Sequence, residues 1–177
     1  MRLIDGFIPM LETRNFVCVA QLLRAQVGVC LRTLALFVAK DQEDYLKQVF
    51  RGVPVNRLKD RSGKNMTDGR LQDLLSEFDS EVEDVYKATS GFVHFSTDIL
   101  PSMGVPGEGC EVEFNFGAVP NERNNASLVG CGKAFCHYIE LHLKILHRVI
   151  ASDEWYADRC HIDCDSPVDK GTASGDA

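Results

Sequence analysis

Apolar residues fall on nearly every side of Phe16–Ala39, a stretch without proline, and this pattern predicts a long helix surrounded by other elements rather than an amphipathic helix at the surface. A second helix is predicted around Gln42–Phe50, ended by the G-V-P-V that follows Arg51. The segment R-L-K-D-R-S-G-K-N-M-T-D, Arg57–Asp68, then reads as a polar connection rich in turn residues. Asp68 is suited to cap a short helix through Phe78. Ser80 and Glu83 have the spacing of a capping box, and the acids beside them complement a helix dipole. From that cap Val82, Val85, Tyr86, Thr89, Val93, Ser96 and Leu100 recur at three- and four-residue intervals, the core stripe of a helix that ends at Pro101.

Beyond this helix the period changes. M-G-V-P-G-E-G suits no regular element, whereas E-V-E-F-N-F after Cys110 alternates polar and apolar residues as a half-buried strand does. Such a strand needs a partner, in a small hairpin or across a dimer edge. Asn121 is placed to cap a last long helix through about Ile150, with Leu128, Phe135, Ile139, Leu146 and Val149 as its apolar face. The predicted fold class is mainly α: a helical bundle over residues 1–155, with a small β-strand or hairpin insertion before the last long helix. Residues 156–177 form an acidic tail containing Gly and Ser, expected to be disordered.

At 177 residues the chain fits one domain with a full core. A net charge of −7 argues against nonspecific coating of nucleic acid. The charge is uneven, however. Arg51, Arg57, Lys59, Arg61, Lys64 and Arg70 stand against only Asp60 and Asp68, and the acids Asp73, Glu77, Asp79, Glu81, Glu83 and Asp84 follow directly. A basic patch can therefore survive on an acidic protein. Seven scattered cysteines, an odd number, suggest reduced thiols rather than a disulfide framework. The N-terminus lacks the uninterrupted apolar region and cleavage site of a signal peptide, so a cytoplasmic location is expected. Gln21, Arg24, Gln26 and Arg32 interrupt the longest apolar stretch, so no membrane span is expected either. A guanidinium inside a bundle must meet a carboxylate, reach water or face a ligand, which makes Arg24 and Arg32 candidate ligand-binding groups.

The candidate chemistry lies in V-Y-K-A-T-S-G-F-V-H-F-S, Val85–Ser96. Lys87 and His94 are nearly two helical turns apart, about 10 Å along the axis, and share a side with Ser90 and Gly91 between them. His94 with Asp98 one turn on is the acid–base candidate, because a carboxylate within reach sets the imidazole tautomer. Tyr86, Lys87 and Ser90 are suited to hold an anion such as phosphate. Cys160, His161, Asp163 and Cys164 crowd potential metal ligands into five residues, but no second pair at zinc spacing follows, and neither metal nor cofactor is expected. There is no Walker loop, dinucleotide-type Gly-rich turn or G-x-S-x-G elbow.

Leu22–Arg32, Arg57–Asp68 and Val85–Ser96 together resemble a family of uncharacterised bacterial cytoplasmic proteins, over most of residues 10–150. Its pattern is distantly similar to HEPN-type helical domains. That resemblance implies a bundle of four or more helices, a homodimer, and a place in toxin, anti-phage or RNA-processing systems. Catalytic members are metal-independent ribonucleases with four to six residues between an Arg and a following His. The matching positions here are Lys87 and His94, with Lys in place of Arg and so without the bidentate fork. Three expectations follow. In the first, RNA is bound or cleaved, with His94 as general acid or base and Lys87, assisted by Arg24 or Arg32, steadying the phosphate. In the second the protein is a noncatalytic dimerisation or interaction module. In the third Arg24 and Arg32 line a small-molecule pocket in the bundle core.

Overall fold

The computed structural model describes residues 2–93, 104–106, 112–114 and 122–151. Among them run six α-helices: α1 (Arg2–Glu12), α2 (Phe16–Val38), α3 (Gln42–Phe50), α4 (Asp68–Leu75), α5 (Val82–Val93) and α6 (Glu122–Ile150). Helix α2 packs against each of the other five, most extensively α6 and α5. It is central because Val19, Leu23, Val27, Leu31 and Leu34 are buried together with Ala20, Cys30 and Ala35, so apolar side chains cover well over one face. By length and composition α2 is apolar enough to cross a membrane; in this fold those side chains instead meet Leu71, Leu75, Val82, Phe135 and Tyr138. Full burial of each such leucine contributes about 2–3 kcal/mol.

Helix α1 is absent from the sequence expectation. Leu3, Ile4, Phe7, Met10 and Leu11 do keep helical spacing, but Gly6 and Pro9 break the signal that the pattern sends. Tertiary packing overrides them: the Phe7 ring stacks on Phe135 of α6 with centroids 3.7 Å apart. The turn into α2 is tight. Asn15 N donates to Met10 O and Arg14 N to Leu11 O, the two bonds of a Schellman closure, which puts Arg14 at φ 57°. Glycine normally occupies that left-handed position, and a side chain there costs about 1 kcal/mol. Asn15 also opens α2, its Oδ1 accepting from Cys18 N at 3.2 Å.

Helix α3 is capped by Asp41, whose carboxylate accepts from Asp44 N. The cap of α4 is Thr67, one residue before the expected Asp68, and α4 stops at Leu75 rather than Phe78. At the entry to α5 Asp79 Oδ1 accepts from Glu81 N, at the place where the sequence predicts Ser80 to act. The buried stripe of α6 is Leu128, Phe135, Tyr138, Leu141, Ile145 and Val149, so Tyr138 and Ile145 are buried where Ile139 and Leu146 are expected. The shift follows from Tyr138, whose carbonyl accepts from Gln26 and Cys30 of α2 and turns that side of α6 inward. Gly104–Pro106 and Val112–Phe114 pair antiparallel, Val105 opposite Glu113. The extension of α5 to Pro101 and the tail 156–177 lie outside the described residues.

Candidate functional site

Arg24 and Arg32 stand on the same side of α2, separated by two turns with Gly28 between them, and both meet Asp68 in the first turn of α4. Arg32 donates to Asp68 Oδ1 at 2.6 Å, and the Arg24 guanidinium lies 3.8 Å from Oδ2. Tyr86 of α5 donates its hydroxyl to the same Oδ2 at 2.9 Å. The Arg24 guanidinium also covers the Tyr86 ring, 3.6 Å from its centroid, and its Nε donates to Ser90 Oγ at 3.4 Å. Ser90 in turn donates to Tyr86 O. One carboxylate thus joins three helices through two guanidiniums and a phenol. Gln21 Nε2 donates to Phe92 O at 2.9 Å and fastens the end of α5 to α2 beside this cluster.

The electrostatics follow from the partners. Partial burial opposes ionisation of Asp68, but the Tyr86 hydroxyl and the Arg32 and Arg24 guanidiniums outweigh it and hold the carboxyl below its ordinary value of 3.8. Burial and the bond to a carboxylate push the Tyr86 phenol up, so it remains a donor. Two permanent cations face one anion, leaving local positive charge. Arg24 is largely enclosed, its side chain 18% exposed, whereas Arg32 at 44% keeps N–H groups toward solvent.

Of the sequence-derived site residues, Arg24, Arg32, Tyr86 and Ser90 are brought together. Lys87 is not with them. It is exposed on the outer side of α5 and pairs with Glu83 one turn back at 2.5 Å, a contact that holds its ammonium protonated above its ordinary range. His94 and Asp98 lie outside the described residues, as does the Cys160–Cys164 cluster. Among the described residues no group of three His, Cys, Asp or Glu side chains gathers as metal ligands. Cys18, Cys30, Cys131 and Cys136 carry free thiols, and burial pushes that of Cys30 up to about 12.

The basic run before α4 divides into two groups. Asp60, 3% exposed, is the centre of the loop: it accepts from Ser62 N, Ser62 Oγ and Lys64 N and pairs with Arg70 at 3.4 Å. Burial is again outweighed, here by the Ser62, Lys64 and Arg70 donors, and the Asp60 carboxyl is lowered. Arg61 donates to Ala39 O and Phe37 O, closing the C-terminal end of α2. Arg61 and Arg70 are therefore built into the fold. Arg57, Lys59 and Lys64 are exposed, on the loop that leads through Thr67 into Asp68.

Sequence reasoning missed Asp68 as the shared acceptor, reading it as a helix cap. The available signal was the presence of two arginines on a helix otherwise destined for the core, for which a carboxylate on a neighbouring element was one of three possible partners beside water and a ligand. No protein-family model, curated protein or solved structure matches the chain.

Proposed function

We infer that this protein is an RNA-binding helical module that takes a phosphodiester at the face formed by Arg24, Arg32, Tyr86 and Ser90. The observation that carries the reading is the convergence of two guanidiniums on the single carboxylate of Asp68, with Arg32 half open to solvent. A phosphate oxygen at Arg32 meets planar N–H donors of the kind that suit it bidentately. The exposed Arg57, Lys59 and Lys64 on the adjoining loop extend the positive charge toward further phosphates. The HEPN-like character of the bundle, the β insertion before α6, the homodimer, the cytoplasmic setting and a role in toxin or anti-phage defence belong to the same proposal. Its support is the resemblance of Leu22–Arg32, Arg57–Asp68 and Val85–Ser96 noted above.

Cleavage is the stronger form of the proposal and rests on His94 as the acid–base group. Lys87 enters that scheme already neutralised by Glu83, so Arg24 and Arg32 are the better candidates to steady charge on phosphorus. The second reading, a noncatalytic interaction module, has one observation in its favour: Asp68 is satisfied within the chain by Arg24, Arg32 and Tyr86, as a purely structural clamp requires.

Fluorescence anisotropy with a labelled single-stranded RNA separates the two. Wild-type protein is expected to bind with affinity that falls as salt rises, and Arg32→Gln to bind at least about fivefold more weakly with its fold unchanged. Equal affinity in the two proteins, or no binding at low salt, overturns the reading. Degradation of the same RNA by wild type and not by His94→Ala establishes the catalytic form; an inert wild type removes it.

A further inference from the structure

Arg14 occupies a left-handed backbone position that favours glycine, and its side chain borders an open groove of about 750 Å³ between the end of α1 and the N-terminal half of α6. The floor is apolar, formed by Leu11, Leu128, Val129 and Gly132. Val129 is 58% exposed and leaves apolar surface open to the groove. Arg14 and Lys133 stand at the rim, and neither forms an ion pair among the described residues. The rim also carries one acid, Glu140, and His137, whose Nε2 is 3.4 Å from Asp79 Oδ2 and so already faces a carboxylate.

We propose that this groove is a binding site for an apolar monocarboxylate of fatty-acid type, with its chain along Leu11, Leu128 and Val129 and its carboxylate on Arg14. Three observations converge on that ligand. The volume lies in the range of small-molecule sites, roughly 300–1,000 Å³. Apolar floor and cationic rim match a ligand with one hydrophobic and one anionic end, and the guanidinium fork fits a carboxylate. The backbone at Arg14 is strained by the presence of any side chain, and strain of that kind is retained where the side chain has a task. Glycine would close α1 better. A cation at this site is what glycine cannot provide. The site is separate from the Asp68 cluster and does not depend on the RNA reading.

The experiment is calorimetric titration of the full chain with dodecanoate, dodecanol and acetate, alongside thermal melting. Dodecanoate is expected to bind with a single site, dodecanol at least about tenfold more weakly and acetate not at all. Arg14→Gly is expected to raise the melting temperature of the free protein by about 2 °C, through relief of the left-handed strain, while weakening dodecanoate at least about tenfold. Arg14→Lys should keep most of the affinity, and Val129→Glu should abolish it. Because Arg14→Gly stabilises the fold, its loss of binding cannot come from unfolding. Absence of dodecanoate binding to wild type, equal binding of dodecanol, undiminished binding by Arg14→Gly, or a lower melting temperature for that variant overturns the proposal.

Discussion

The guanidinium of Arg24 lies over the ring of Tyr86, its central carbon 3.6 Å from the ring centroid, while the hydroxyl at the far end of that ring donates to Asp68. Tyr86 thereby serves two charges of opposite sign with two parts of one side chain: the electron-rich face receives the cation and the O–H group the anion. This arrangement fixes α5 against α2 and α4 at once, and it sets the spacing of the polar face to which the RNA proposal assigns the phosphate.

A double-mutant cycle measures the contact directly. Arg24→Gln and Tyr86→Leu are each expected to destabilise the protein, and the pair to show a coupling of about 1 kcal/mol in urea unfolding, since the stack is partly shielded from solvent. Tyr86→Phe keeps the ring beneath Arg24 and loses only the bond to Asp68. It should therefore retain the coupling to Arg24, and additivity of the two single changes in the cycle would show that the stack carries no energy.

The pH dependence of stability follows from Asp68 and Asp60, both with carboxyls lowered in the folded state. A carboxyl lowered by folding binds fewer protons in the native state than in the unfolded one. Its stabilisation is complete above the ordinary value near 3.8 and drains away as pH falls through the lower folded value. Asp68→Asn should cost about 1 kcal/mol at neutral pH, a figure discounted for the partial exposure of the Asp68 and Arg32 side chains. The same variant should lose less stability than wild type between pH 5 and pH 2, about the interval in which a lowered carboxyl titrates. Urea unfolding across that range provides the check, and parallel pH profiles for the two proteins would contradict the assignment.

Lys87→Ala provides the opposite expectation. The ammonium and its partner Glu83 are both well exposed, and pairs of this kind add little to stability. The melting temperature should be unchanged. RNA affinity should fall far less than in Arg32→Gln, since Lys87 stands apart from the Asp68 cluster. A loss equal to that of Arg32→Gln would return Lys87 to the centre of the site.

How far the sequence carries the reading differs from element to element. The central helix was legible because Phe16–Val38 is apolar around most of its circumference, a pattern that burial from many sides alone permits. Helices α3 and α4 and the last helix were legible from turn residues and periodicity, with boundary errors of one to three residues where Thr67 replaces Asp68 as the cap and where α4 ends early; the Asn121 cap expected for the last helix lies outside the described residues. Helix α1 was illegible because Gly6 and Pro9 lower local propensity, and stacking of Phe7 on Phe135, residues far apart in the chain, supplies what propensity lacks.

The sequence by itself determined that two arginines on a buried helix had to meet a carboxylate, reach water or face a ligand, since a guanidinium cannot shed its proton and a core cannot hold it unpaired. It also determined that Tyr86 and Ser90 share a helix face, since four residues make about one turn. Only the tertiary structure decided that the partner is Asp68, that Arg24 stacks on Tyr86 rather than reaching water, and that Lys87 turns outward to Glu83. Local periodicity fixes which residues lie side by side on one helix. Which acid on one helix faces which cation on another depends on how the helices pack, and that is settled by the whole core.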